Sequence, residues 1–168
     1  MNKKIHSVVI ASLLAAGGAL GDANEKAIVA SNTAFACDLY GKLKGQEGNL
    51  FLSPYSISTA LAMTYGGARG ETKEQMERAL HFGRGDVHPA FAALQDRLNA
   101  VQKKGQVQLA TANSLWPQKG AAFLPTFLVL CQKHYGVTIT PVDFSTETES
   151  ARQSINNWFE KKTNHKIQ

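Results

Sequence analysis

Between Asn49 and Leu80 the run of apolar, small and polar positions predicts a succession of local elements. Asn49–Leu52 is a short apolar run that suits a buried strand. Ser53-Pro54 stops it and opens a helix. The serine hydroxyl can accept a bond from an orphan N–H of the first turn, and proline fits the first helical position, where no N–H is needed. Ile57, Ala60, Leu61 and Thr64 then recur at helical spacing, and the small residues among them predict a helix buried on all sides. Gly66 and Gly67 end it, and Gly70 permits a tight turn. Thr72 with Gln75 has the form of a capping box, so a second, amphipathic helix is expected from about Thr72 to Leu80.

The same periodicities can be followed on either side. Ala27, Ile28, Ala34, Phe35, Leu39 and Leu43 place a long amphipathic helix over Asn24–Lys44, ended by Gly45 and Gly48. Phe91, Leu94 and Leu98 share a face of another, Val87–Lys104, with Pro89 in its first turn. Val107–Trp116 alternates and is rich in β-formers, which predicts a strand. Pro125 opens a helix through about Tyr135, and Gly136–Val142 reads as a further strand. Thr146 and Glu149 offer a second capping box, ahead of a helix that carries Ala151, Ile155, Trp158 and Phe159 on one face. The class is α+β.

Three stretches carry a resemblance. Asn-Leu-Phe-Leu-Ser-Pro-Tyr-Ser-Ile-Ser-Thr-Ala-Leu-Ala-Met, from Asn49 to Met63, is followed by Gly-Ala-Arg-Gly-Glu-Thr-Lys-Glu-Gln-Met, and together they resemble the early signature of the serpins, the large protease-inhibitor family. Ala-Thr-Ala-Asn-Ser-Leu-Trp, ending at Trp116, is similar to the family's strand 2A, and Ser-Ile-Asn-Asn-Trp-Phe-Glu-Lys-Lys-Thr-Asn-His-Lys-Ile to its helix F and the turn after it. In that turn His165 stands where the family usually has glycine. The resemblance implies the N-terminal part of the serpin fold, helices A to F with strands 6B, 2A and 1A, less than half of a family domain. It also implies a conformational trap. A target serine or cysteine protease attacks an exposed reactive loop and forms an acyl-enzyme, and the loop then inserts into sheet A with the protease attached. By motif match Ser53, Ser56 and Asn156 take the positions from which polar groups control the opening of that sheet. A non-inhibitory serpin-fold binding or structural protein is the alternative, and the loop hinge that separates the two readings lies beyond Gln168.

With 168 residues, 43% hydrophobic and 18% charged, the composition is that of a globular protein. The formal charge of +5 is spread along the chain with no basic run longer than two, which argues for solubility and against a nucleic-acid footprint. Arg97, Lys103 and Lys104, with Asp96 among them, read as a solvated face. The N-terminus changes the picture more. Lys3 and Lys4, an apolar stretch from Ile5 to about Leu20 and small residues near Gly21 and Ala23 make the three parts of a bacterial-type secretory signal. The expected division is a signal peptide over 1–23 and an incomplete serpin domain over 24–168, secreted to the periplasm or medium, off the membrane after cleavage and monomeric when whole. Such an incomplete domain is expected to fold poorly by itself.

Candidate chemistry is sparse. Cys37 and Cys131, which export would permit to pair, lie on apolar helical faces and read more readily as separate buried thiols. His6, His81, His88, His134 and His165 show no ligand spacing and read as surface or cap residues, so neither a metal nor a cofactor is expected. Gly66–Gly70 is glycine-rich but follows a helix, unlike a phosphate loop, and Ser53 has no base suggested near it. No catalytic constellation stands out, and an enzyme is not expected.

Overall fold

The computed structural model describes residues 3–83, 85–103 and 112–165. Among these residues the order is α1 (Lys3–Leu43), α2 (Pro54–Gly67), α3 (Gly70–Ala79), α4 (Val87–Lys103), β1 (Ser114–Leu115), α5 (Pro125–Tyr135), β2 (Thr138–Ile139) and α6 (Thr148–Lys162). The α+β class and the helix sequence are those expected. α1 begins upstream of Asn24 and runs unbroken through residue 23. Three of its mid-helix polar residues bond back to the preceding turn: Ser31 Oγ donates to the Ala27 carbonyl at 3.0 Å, Asn32 Nδ2 to Ile28 at 3.2 Å and Thr33 Oγ1 to Val29 at 2.9 Å.

The core lies where α1, α2, α4 and α5 meet. Phe91 of α4 is 1% exposed and sits at its centre, with the Phe82 ring 6.0 Å and the Tyr135 ring 5.9 Å away. Ala62, Met63, Leu80 and Cys131 close around it, and Ile28 extends the core to α1. The chain reaches this packing through α3, which buries no residue fully and ends at a kink where His81 has φ 55. Two contacts fix that kink: the His81 carbonyl accepts from Ser31 Oγ at 2.7 Å, and its Nε2 meets Asp38 Oδ2 at 2.7 Å.

β1 and β2 pair in parallel, Ser114 opposite Thr138 and Leu115 opposite Ile139, with a further bridge from Gln118 to Val142. Parallel neighbours need a crossover. Here α5 supplies it, and Gly136 at φ 59 turns the chain from the end of that helix into β2. α6 approaches this pair through Trp158, whose ring meets Trp116 edge-on at 6.0 Å.

Several expectations are corrected. Asn49–Leu52 forms no strand: a strand needs a partner, none pairs with it among the described residues, and Phe51 is fully exposed. α2 is buried on one side only, through Ser58, Thr59, Ala62, Met63 and Tyr65, while Ile57 and Leu61 are each 37% exposed. Neither capping box forms. α3 starts at Gly70, whose φ of 56 lets the chain enter the helix at once, so Gln75 lies deeper than the first turn and bonds Glu71 at 2.9 Å. α6 has no side-chain cap, because Thr146 is already held by Asp143. Of the predicted strand Val107–Trp116, residues 107–111 lie outside the described residues, and Ser114–Leu115 is β1. Cys37 is exposed, and only Cys131 is a buried thiol; both are free.

Candidate functional site

The N-terminus of α2 is built as its sequence dictates. Ser53 has φ −112 and ψ 95, outside the helix, and its Oγ accepts from the Ser56 N–H at 3.3 Å. The two hydroxyls lie 2.9 Å apart. Tyr55, between them, donates from its hydroxyl to Gln95 Oε1 at 3.0 Å and so ties α2 to α4. Burial raises the Tyr55 pKa and keeps that hydroxyl protonated. Ser53 and Ser56 are exposed, and Ser53 stands at the rim of an apolar groove of 670 Å³ between α1, α2 and α4, lined by Val29, Tyr40, Tyr55, Leu94 and Leu98 among others.

Asn156 is on the exposed side of α6. Among the described residues no hydrogen bond joins it to Ser53 or Ser56. The structure therefore brings the two serines together and leaves Asn156 on a different element. Nothing at Ser53 resembles an activated nucleophile, since its bonds are a helix cap and a second hydroxyl. Among the described residues no group of three His, Cys, Asp or Glu side chains is placed to hold a metal.

A second cluster escaped the sequence reading, which had taken its histidines for surface or cap residues. His88, near the start of α4, is half-buried, and its Nδ1 lies 2.7 Å from the hydroxyl of Tyr135 at the end of α5. Its ring is 5.8 Å from that of Tyr65 and 6.3 Å from that of His134. Burial first, then the charges of His134 and Lys73, push the His88 pKa down to about 4, with Asp86 pulling the other way. Burial also lowers His134 and drives the Tyr135 hydroxyl far above its ordinary value. The signal in the sequence was that His88 lies three residues before Phe91, on the core side of its helix.

Comparison with known proteins agrees with this architecture. The model of the family described as "Serpin (serine protease inhibitor)" matches residues 30–168. The chain is 42% identical over 140 residues to the leukocyte elastase inhibitor of Bos taurus, covering 82% of this chain and 37% of that protein. An uncharacterized serpin-like protein of Methanosarcina acetivorans is 36% identical over 146 residues, 83% of this chain and 34% of the relative. Among solved structures, emu ovalbumin superposes with a TM-score of 0.72 at 31% identity, over 84% of this chain and 41% of that one. A tumour suppressing serpin gives 0.76 at 28%, over 84% and 39%. The fold is a partial serpin fold, and the chain belongs to the serpin family. It spans a little over a third of the length of the curated relatives it matches, 37% for the bovine protein.

Proposed function

We propose that this chain is the N-terminal part of a serine-type endopeptidase inhibitor that works as a suicide substrate and conformational trap. The observation that carries the reading is the 42% identity to a protein named as an elastase inhibitor, over 82% of the chain and on a shared fold. In such a trap the work comes from a metastable sheet that opens to admit the cleaved loop. The α2 N-terminus, with its serine pair and with Ser53 at the rim of a groove, suits a part of that sheet's support. Ser53, Ser56 and Asn156 are proposed as the polar positions that govern opening, with Asn156 brought to the serines only when further strands of the sheet lie between them. The partner is a target serine or cysteine protease, met by the whole protein. These residues alone, with no reactive loop among them, are proposed to be inactive.

The test is direct. The 168-residue chain is incubated with elastase, trypsin, subtilisin and papain, beside a longer chain extended through the reactive loop. An SDS-stable complex is expected with the longer chain only. Such a complex with the 168 residues alone would overturn the proposal of inactivity, and its absence from the extended chain with every protease would overturn the inhibitor reading.

Export is proposed as well, on the charged, apolar and small-residue order of residues 1–23. A tagged form expressed in bacteria is expected to yield a mature N-terminus between Leu20 and Glu25 by mass spectrometry. An intact Met1 in a soluble cytosolic product would reject it.

A further inference from the structure

His88 occupies a corner where three helices meet. It belongs to α4, bonds Tyr135 of α5 at 2.7 Å, and lies over Gly66 of α2, where a methyl group would come within 3.3 Å of its Cε1. Tyr135 is buried, and it is followed at once by Gly136 and β2. The bond between the two side chains is therefore the polar tie between the start of α4 and the element that feeds the parallel pair.

The surroundings favour an uncharged imidazole. From α5 come His134, whose ring is 6.3 Å away, and Lys133 beside it. From α3 comes Lys73, its ammonium 5.4 Å from the centre of the Tyr65 ring. The α3 carboxylate Glu77 accepts from the Tyr65 hydroxyl at 2.6 Å and pairs with Lys73 at 4.0 Å, which offsets part of that ammonium's charge. α1 meets α4 farther along, where Glu25 is paired with Arg97. Asp86, just ahead of α4, opposes this set, and Asp96 of α4 lines the same pocket as Lys133, His134 and Tyr135. Burial of His88, with the neighbouring His134 imidazole and Lys73, outweighs these carboxylates, because like charges in a half-buried site repel more than in water.

We propose that His88, His134 and Tyr135 form an acid-sensitive latch: at neutral pH it clamps α4 to α5 above Gly66, and proton uptake by the two imidazoles releases that corner and the start of β2. The chemistry of the bond gives the mechanism. A neutral imidazole can accept the Tyr135 proton at Nδ1 or donate from it. An imidazolium can only donate, so a tyrosine O–H that pointed at Nδ1 must turn away inside a buried site and lose its acceptor. At the same time a second positive charge appears next to His134 and Lys73. The folded form holds its proton only near pH 4, whereas an unfolded histidine takes one near 6.5, so acidification between these values favours the open corner.

Hydrogen exchange read from pH 7.5 to 4.0, corrected for intrinsic rates, tests this on the 168-residue chain. Protection over residues 90–94 of α4, where hydrogen bonding begins at Ala90, and over residues 134–139 is expected to fall about ten- to a hundredfold on acidification, with a smaller loss in α6. H88Q, which keeps a polar group but cannot titrate there, is expected to remove most of the dependence, and H134Q part of it. In the unmutated chain the His88 carbon resonance is expected to titrate near 4. Titration at the ordinary 6.5, protection that does not change with pH, absent protection at pH 7.5, or an undiminished dependence in the H88Q/H134Q double variant would each overturn the latch.

Discussion

Asp143 organises the joint between β2 and α6. Its Oδ1 accepts from the Ser145 N–H at 2.9 Å, the Thr146 N–H at 3.0 Å, Ser145 Oγ at 2.6 Å and Gln118 Nε2 at 3.1 Å, and its Oδ2 from Thr146 Oγ1 at 2.7 Å. Bonds from Ser145, Thr146 and Gln118 hold its carboxyl well below the usual carboxylate range. A depressed carboxylate stabilises the fold above its unfolded pKa and ceases to do so as pH falls through the folded value. Glu149, bonded by Arg152 and Gln153 and held at about 2, acts in the same sense. Acid should therefore weaken the chain in two windows, first between about 6.5 and 4 through His88, then below about 4 through these carboxylates. D143N is expected to lower the urea midpoint at pH 7, with the difference from wild type shrinking as pH falls from about 4 toward 2 while the upper window stays unchanged. A deficit that persists undiminished at pH 2 would show that charge is not the cause.

Among the elements, α2 was legible where local chemistry decides and illegible where the neighbours do. Ser53 and Pro54 announce a cap and a first turn that need nothing beyond the next three residues, and the helix begins at Pro54 as expected. The same logic failed for Thr72/Gln75 and Thr146/Glu149, because a left-handed Gly70 and the Asp143 turn offered the backbone better arrangements. Strand Asn49–Leu52 failed for another reason, since pairing is a property of two segments and a periodicity describes one. His165, which stands where the family usually has glycine, has φ 60, the left-handed conformation glycine adopts freely, with Nδ1 2.9 Å from Glu160 Oε1. Of the proposed site, the Ser53–Ser56 contact follows from an i, i+3 spacing, while the environment of His88 depends on three helices and could not be read from any one of them. Gly66, taken from sequence as a helix stop, is also a packing position: a β-carbon there would lie 3.0 Å from Leu130 Cδ2 and 3.3 Å from His88 Cε1. Alanine gains up to about 1 kcal/mol of helix propensity but overpacks a contact that Tyr135 holds in place, at a cost of about 1 to 3 kcal/mol. G66A is expected to be less stable by about 1 kcal/mol in urea melts, and a gain in stability would contradict the close packing.

At the scale of the molecule, the burial is uneven. α1, α2, α4 and α5 enclose Phe91, Ala62 and Cys131 almost completely, yet Phe51 is 100%, Leu124 68%, Val129 59% and Tyr40 58% exposed. Covering one large apolar side chain contributes about 1.5 to 3 kcal/mol, and a whole domain has a net stability of only roughly 5 to 15 kcal/mol. A few uncovered side chains of this size therefore weigh as much as the margin itself. β1 and β2 add to this, because among the described residues each pairs on one side only, and an unpaired strand edge is a template for another chain. The expectation of poor folding goes with an α2 buried on all sides, and α2 is buried on one side only. Its buried face instead meets helices of this same chain, so order should concentrate there. The 168-residue chain is expected to show helical far-UV signal, to bind a hydrophobic dye and to associate at micromolar concentration by sedimentation, with its slowest-exchanging amides in α2, α4 and α5. A monomer that binds no dye and melts in one sharp transition would mean that the exposed apolar residues are covered in solution. Exchange that is equally fast throughout would mean that the Phe91 core does not hold by itself.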